Sequence, residues 1–298
     1  MSFQTLSNLQ FDFEIIHRIN ESKGIKKEQV LELIEDVPKQ VIFETASKLR
    51  NEKKGKVVSF SKKAFFNIIN LCRDTCSYCT YKAEPDDTKL SLMDEQTVKK
   101  LAELAKKYNC TEALFVTGER PEQKYQEAKE WLRKQGFLST TEYLIHCSEI
   151  VLKQGVFPHT NAGNLTKNEM KELAKTNVSM GVMLENSSVR LREDGMPHQD
   201  APSKEPLARL NILKNAGELK IPMTTGILVG IGETLEECIQ SIYDIKKIHQ
   251  KYGNIQEIIL QNFHPKPKTS MFEHSTPEES YFKMVVALCR IIMPEANI

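Results

Sequence analysis

The chain has 298 residues, 40% hydrophobic and 27% charged, a balance that suits a globular protein of one large domain or two ordinary ones. Its 41 basic and 40 acidic residues leave a net charge of +1, so no sign bias points to nucleic acid or to an anionic membrane. No apolar run reaches bilayer length, and MSFQTLSNLQFDFEII lacks the basic start and apolar core of a signal peptide; the expected compartment is the cytoplasm, where the seven cysteines stay reduced.

Residues 1–60 read as a helical extension ahead of a core spanning 61–298. KKEQVLELIEDV offers Val30, Leu31, Leu33 and Ile34 as apolar positions, and PKQVIFETASKLRNEKKG starts at Pro38 and stops at Gly55. Beyond residue 60, short apolar runs alternate with amphipathic helices. FFNIIN (65–70) is the first expected strand, and VKKLAELAKKY follows with Val98, Leu101, Ala102, Ala105 and Tyr108 on one helical face. TEALFVTG (111–118) is the second strand, followed by PEQKYQEAKEWLRKQG and TTEYLIHCSEIVLKQG, two helices each closing on a glycine. GVFPHT (155–160) is the third strand, and TKNE (166–169) is a capping box. VSMGVMLE (178–185) is the fourth, followed by the helix SKEPLARLNILKNAG. PMTTGILVGIG (222–232) is the fifth, with TLEE (234–237) as a second capping box, and EIILQNF (257–263) is the sixth. TPEES (276–280) predicts a helix start with Thr276 as cap, Pro277 at the first helical position and Glu279 at the third, opening the apolar helix YFKMVVALCRII.

Six strands, each followed by helix, predict an α/β fold with a parallel sheet wrapped by helices. Periodicity leaves two forms open, a doubly wound sheet or a partial barrel. In both, ligands sit beyond the C-terminal strand ends. That rule selects 70–81, 117–122, 159–163, 185–190, 230–234 and 262–268.

The first of these stretches, NLCRDTCSYCTYKAEP, carries Cys72, Cys76 and Cys79 in a C-x-x-x-C-x-x-C spacing. Positions i, i+4 and i+7 share a helical face, so three core cysteines are one reading, opposed by the polar residues between them. A zinc site is a second, needing a fourth ligand such as His146 or His159. A 4Fe–4S cluster on three thiolates is the third, with one iron open to chelation by an amino-acid group. Cys147, Cys238 and Cys289 fall on apolar helical faces and read as core, and Cys110 stands at the start of the second strand.

The cysteine spacing, with the aromatic Tyr78 before the last thiol and a strand before the first, resembles the radical S-adenosylmethionine (SAM) superfamily motif. The resemblance implies a partial (β/α)6 TIM-like barrel with an N-terminal helical lead-in, a 4Fe–4S cluster on Cys72, Cys76 and Cys79, and SAM on the open iron. It implies that the reduced cluster cleaves SAM to methionine and a 5′-deoxyadenosyl radical that abstracts substrate hydrogen. Thr117-Gly118-Glu119 stands where the superfamily often carries G-G-E, with threonine a departure at the first position. Glu185, Ser188 and Arg190 stand where the fourth strand supplies polar contacts to SAM, and Gly226 to Glu233 matches G-x-I-x-G-x-x-E with Leu228 in the isoleucine place. Tyr78, Thr117, Gly118, Glu119, Glu185, Ser188, Arg190, Gly230 and Glu233 are therefore the cofactor contacts the resemblance implies.

Within the superfamily, NLCRDTCSYCTYKAEP, FVTGERPE, FPHTNAGNLT, APSKEPLARLNILKNAGELKIPMTTGILVGIGETLEE and QNFHPKPKTSM resemble the cyclising subunit of 7,8-didemethyl-8-hydroxy-5-deazariboflavin synthase, over residues 60–298. In that family a sister radical SAM subunit joins a tyrosine-derived 4-hydroxybenzyl group to a ribitylamino-uracil. The cyclising subunit takes the 5-amino-5-(4-hydroxybenzyl)-6-(ribitylimino)-dihydrouracil adduct, abstracts a hydrogen, closes the middle ring and eliminates ammonia. This is a carbon–nitrogen lyase step of coenzyme F-420 biosynthesis. The implied partners are the sister subunit, an external electron donor and a small-molecule substrate, with no nucleic acid and no membrane.

A pocket for such a substrate needs hydrogen-bonding groups between apolar walls. His159, Asn161, Thr224, Thr225, Gln261, Asn262 and His264 lie on or just beyond the strands and are the candidates; no general base is singled out. His198, in GMPHQDAPSK, is expected in an exposed loop. The family continues past the stretch resembling MPEANI, so a shorter or partial form is expected here. The competing readings are the sister tyrosine-activating subunit, with the same cysteines and fold, and a non-catalytic metal-binding scaffold.

Overall fold

The structure, a computed structural model, describes residues 25–298; the first 24 residues of the expected 1–60 extension lie outside the described residues. Two helices open it, α1 (Lys27–Asp36) and α2 (Lys39–Lys54). Then come β1 (Lys63–Ile69), α3 (Glu95–Lys107), β2 (Glu112–Thr117), α4 (Pro121–Lys124), α5 (Gln126–Lys134), α6 (Thr140–Lys153), β3 (Phe157–Asn161), α7 (Lys167–Leu173) and β4 (Ser179–Gly181). Two 3-10 turns, Val189–Arg192 and Pro202–Lys204, precede α8 (Pro206–Glu218), β5 (Met223–Val229), α9 (Leu235–Tyr252), β6 (Ile255–Asn262) and α10 (Glu279–Ile292).

All five strand pairings are parallel and the order is β1-β2-β3-β4-β5-β6. A doubly wound sheet reverses its order at a switch point; a sequential order is a barrel wall. The choice left open by periodicity is thereby made, a partial barrel with β1 and β6 at its two edges, where Leu92 bridges Ile69 and Asn297 bridges Glu257. Parallel neighbours in register share a face. Phe66 and Phe115 pair across β1 and β2, are fully buried, and meet at a tilt of 52° with ring centroids 5.0 Å apart under the helices. Their sequence neighbours Phe65, Leu114 and, on β3, His159 therefore face the lumen.

The helices form where their end signals stand. Thr166 and Thr234 close reciprocal capping boxes with Glu169 and Glu237. Helices α1 and α2 bury Val30, Leu33, Ile42 and Leu49 in the same apolar core as the barrel, and Tyr243 Oη donates to Ile25 O at 2.7 Å.

Three segments differ from the expected ones. The fourth strand keeps three residues instead of 178–185, because the chain leaves the ladder and returns only where Glu185, at φ +62°, bridges Ile227. The helix expected from Pro121 breaks at Tyr125, whose hydroxyl is drawn to Glu84 Oε2 at 2.8 Å. The capping box expected at Thr276 does not form, and α10 starts at Glu279. Thr276 Oγ1 instead meets His264 Nδ1 at 3.3 Å, and Pro277 lies where a Cβ on Gly230 would stand 1.9 Å from its Cγ.

Candidate active site

The cysteine loop leaves the end of β1 and is folded back by its own polar residues. Asn70 donates from Nδ2 to Lys89 O (2.9 Å) and accepts Ser91 N at Oδ1 (2.7 Å). Tyr81 donates to Val116 O at 3.0 Å, and Lys82 Nζ meets Glu84 Oε1 at 2.6 Å and Thr75 Oγ1 at 2.8 Å. Gly118 lets the loop pass over the end of β2. A Cβ there would stand 1.9 Å from Leu71 O, and from the same turn Glu119 N donates to Cys72 Sγ at 3.2 Å.

All three thiols are half-buried. Burial pushes the Cys72 thiol up, against the lowering pull of N–H groups from Glu119 and Asp74. Burial pushes Cys76 up to about 12, with Lys204 opposing. Among the described residues, no three His, Cys, Asp or Glu side chains gather round one ion-sized point. Three thiolates on one loop are the ligand set of an iron–sulfur cluster with one open iron.

Carboxylates and cations brace the loop from below. Asp74, buried between two of the cysteines, accepts from the Ser203 hydroxyl and, at 3.4 Å, from Ser203 N. Arg209 Nε donates to Ser203 O at 3.0 Å, Nη1 to Met183 O at 3.0 Å, and Nη2 stands 4.0 Å from Glu119 Oε2. Glu119 also accepts Asn164 N at 2.9 Å, and its Oε1, 3.6 Å from Arg73 Nη2, has no hydrogen bond. Glu185 Oε1 meets Lys204 Nζ at 2.6 Å. Burial raises the Glu185 pKa, but Lys204, Arg209 and His198 outweigh it and hold the carboxyl below the usual range. Glu185 Oε2 is buried without a partner.

His198 corrects the expectation of an exposed loop: it is 2% exposed, and its Nε2 lies 2.9 Å from Tyr78 Oη. Burial and Lys204 push it down to about 4. The loop carrying it is seated on the cysteine loop, with Thr75 N donating to Asp200 O (2.7 Å) and Ser77 N to Pro197 O (3.0 Å). Sequence reading missed His198, Ser203, Lys204, Arg209 and the bracing role of Asp74. Ser203, Lys204 and Arg209 stand in or at the start of a segment read only as a helix, and nothing local marks their partners: Asp74 and Ser203 are 129 positions apart.

The other strand-end residues make contacts of their own. Thr117 Oγ1 donates to Gly118 O at 2.9 Å. Ser188 Oγ and Arg190 Nε donate to Glu237 Oε1 at 2.6 and 2.9 Å, and Arg190 Nη2 donates to Gly232 O at 2.7 Å. Ser188 thus ties the segment after β4 to the first turn of α9, and Arg190 ties it both to that turn and to the loop after β5. Glu233 accepts Gly230 N (2.7 Å) and Ile231 N (2.8 Å), holding the turn in which Gly230 has φ +97°. Leu191, Leu228, Ile231, Phe263 and Met271 form a small apolar cluster against Tyr78, apart from the main core. His264 is exposed.

On the strands, alternation separates the remaining candidates. Leu228, in that cluster, shares a face with Gly226 and Thr224, and register carries the face on to Ile259 and Gln261. Thr224 and Gln261 therefore face the lumen with His159 and Asn161, while Thr225, fully buried, and Asn262 face the helices.

Comparison with known proteins agrees with this geometry. Residues 66–245 match the radical SAM superfamily model. The chain is 44% identical over 243 residues to the 7,8-didemethyl-8-hydroxy-5-deazariboflavin synthase of Methanopyrus kandleri, covering 81% of this chain and 73% of that one. It is 43% identical over 276 residues to the synthase of the same name from Methanococcus maripaludis, covering 92% and 76%. Among solved structures, the FeFe-hydrogenase maturase HydG from Carboxydothermus hydrogenoformans aligns with a TM-score of 0.71 at 22% identity, over 99% of this chain and 70% of that one. Methylornithine synthase (PylB) aligns with a TM-score of 0.71 at 14% identity, over 95% and 77%. These two share the fold. The cysteine loop, the partial barrel and the relatives together show that the chain belongs to the radical SAM superfamily and, within it, to the family of 7,8-didemethyl-8-hydroxy-5-deazariboflavin synthases.

Proposed function

We propose that this chain is the cyclising component of deazaflavin synthesis, a carbon–nitrogen lyase that closes the middle ring of a 4-hydroxybenzyl–ribityl-uracil adduct and releases ammonia. The observation that carries this reading is the placement of three thiols at the mouth of a lumen whose wall is part polar and part aromatic. Cys72, Cys76 and Cys79 would hold a 4Fe–4S cluster, leaving one iron for the amine and carboxylate of SAM. The residues fit that pair: three thiols on one loop, and beside them the buried, unpartnered oxygens Glu185 Oε2 and Glu119 Oε1 as acceptors. When bound, cluster and SAM supply a 5′-deoxyadenosyl radical that takes a hydrogen atom from the substrate.

The chain's own part is to position and to exclude water. Tyr78, Leu228, Ile231, Phe263 and Met271 offer an apolar wall that suits an adenine ring. The Gly230 turn, fixed by Glu233 and packed against Pro277, holds Ile231 of that wall in place. Arg190 holds that turn through Gly232 O, and Ser188 shares with it the Glu237 carboxylate. Lys204 and Arg209 balance the buried carboxylates around the mouth. The substrate lies in the lumen against His159, Asn161, Thr224 and Gln261.

A sister radical SAM subunit would supply the adduct, and an external donor would supply the electron that the cluster needs. No described helix is long and apolar enough to cross a membrane, and we place the reaction in the cytoplasm. The test offers the anaerobically reconstituted chain two substrate sets, each with SAM and a reductant. The adduct should give fluorescent deazaflavin, 5′-deoxyadenosine and methionine, while tyrosine with ribitylamino-uracil should give nothing. Turnover of the second set instead would reassign the chain to the sister role.

A further inference from the structure

The lumen has two unlike walls. An ordinary eight-stranded barrel fills its lumen with layers of branched side chains. Here the β1–β2 wall presents Phe65, 61% exposed, with Leu114 and Val116 half-buried beside it and Asn67 above. That wall is largely apolar and has room in front of it.

The β3–β5 wall is polar and contains a notch. His159 Nδ1 pairs with Ser179 Oγ at 2.7 Å, which leaves Nε2 toward the lumen. Residue 181 faces the same way and is glycine; a Cβ on it would stand 3.0 Å from His159 Nε2 and 3.5 Å from Asn161 Cγ. A side chain at 181 would crowd both polar groups, so glycine is what leaves their lumen-side atoms uncovered. Thr224, in register with Gly181, closes the notch. Its Oγ1 is buried, in a residue 5% exposed, and has no hydrogen-bond partner. A buried hydroxyl left unpaired costs free energy, so the notch is complete only when something polar enters it. Below it the Lys63–Glu112 ion pair (3.2 Å) faces His159. Burial and Lys63 push His159 down to about 4, against the pull of Glu112, so the ring stays neutral and offers Nε2 as acceptor or donor.

Resting on the cyclising function above, we propose that this notch, formed by His159, Asn161 and Thr224 around Gly181, is the pyrimidine subsite, and that the hydroxybenzyl ring lies against Phe65, Leu114 and Val116. The chemistry of the two halves decides the orientation. A pyrimidine dione presents an N–H between two carbonyls, which a carboxamide, a hydroxyl and an imidazole nitrogen can match. Placed on the Phe65 wall, the same groups would be desolvated without partners. The phenyl ring gains from apolar contact and offers only its terminal hydroxyl for hydrogen bonding.

The experiment uses each half of the adduct as an inhibitor of deazaflavin formation by the reconstituted chain: 5-amino-6-ribitylamino-uracil for the pyrimidine and 4-methylphenol for the hydroxybenzyl group. Thr224→Val, near-isosteric, should weaken inhibition by the pyrimidine half about fivefold, the effect of one lost neutral hydrogen bond, and leave the phenol half unchanged. Thr224→Ser should restore it. Phe65→Ala should do the reverse, weakening the phenol half alone. Equal weakening of both halves by Thr224→Val, the opposite pattern, or no inhibition of the wild type by the pyrimidine half would overturn the proposal. A wild type that makes no deazaflavin from the adduct would contradict the cyclising function instead, and calorimetric titration of the two halves against the same variants would then decide the orientation.

Discussion

Gly118 shows how much of the site rests on one missing atom. Its backbone carries the turn that sends Glu119 N to Cys72 Sγ, and the space where a Cβ would go is already filled by Leu71 O. Backbone cannot yield as a flexible side chain does. Gly118→Ala should therefore displace the cysteine loop, cost roughly 1–3 kcal/mol as overpacking does, and lower bound iron and sulfide. Denaturant midpoints with metal analysis would check it; a variant with wild-type stability and full iron content would refute this account of Gly118. The sequence marked Gly118 through a motif, but the reason for it, the crossing of β1's exit over β2's end, is tertiary. The same holds for Asp74 and Tyr81 to Glu84, which carry the narrower family resemblance: Asp74 and Tyr81 anchor the loop to Ser203 and to β2, and Lys82 braces it from within.

At the scale of elements, the signals that are local in sequence were readable and those that are not were not. Capping boxes at Thr166 and Thr234 formed as expected because donor and acceptor are three residues apart. Thr276 carried an equivalent signal and did not cap, because its hydroxyl and Pro277 found partners on β6's exit and at Gly230. His198 looked exposed because its loop has no periodicity; its burial comes from docking onto the cysteine loop.

The box on α7 has a second use. Glu169 also pairs with Arg120, which leaves β2 at φ +40° and donates through Nη2 at 2.6 Å. Burial raises the Glu169 pKa, but the Arg120 and Thr166 hydrogen bonds outweigh it and bring the carboxyl to about 2. The folded value lies below the ordinary 4.5. The stabilisation from this pair is thus full above about pH 4.5 and is lost as pH falls toward 2. Arg120→Met should lower stability at pH 7 and flatten its decline over that acid interval, followed by denaturant unfolding at stepped pH. An unchanged slope would show that the pair does not set it.

At the scale of the whole molecule, the sequence showed only alternation; the sequential order of a partial barrel, open between β1 and β6, appears in the pairing. That order puts the three thiols, the braced carboxylates and the lumen's two walls at one end of the sheet. The measurement that tests this most directly is metal and sulfide analysis joined to electron paramagnetic resonance of the reduced, anaerobically prepared protein, with and without SAM. The account predicts about four irons and four sulfides per chain, lost on Cys76→Ala, and a cluster spectrum that changes when SAM is added, because one iron lacks a thiolate. Zinc in place of iron, or a four-iron spectrum indifferent to SAM, would contradict it.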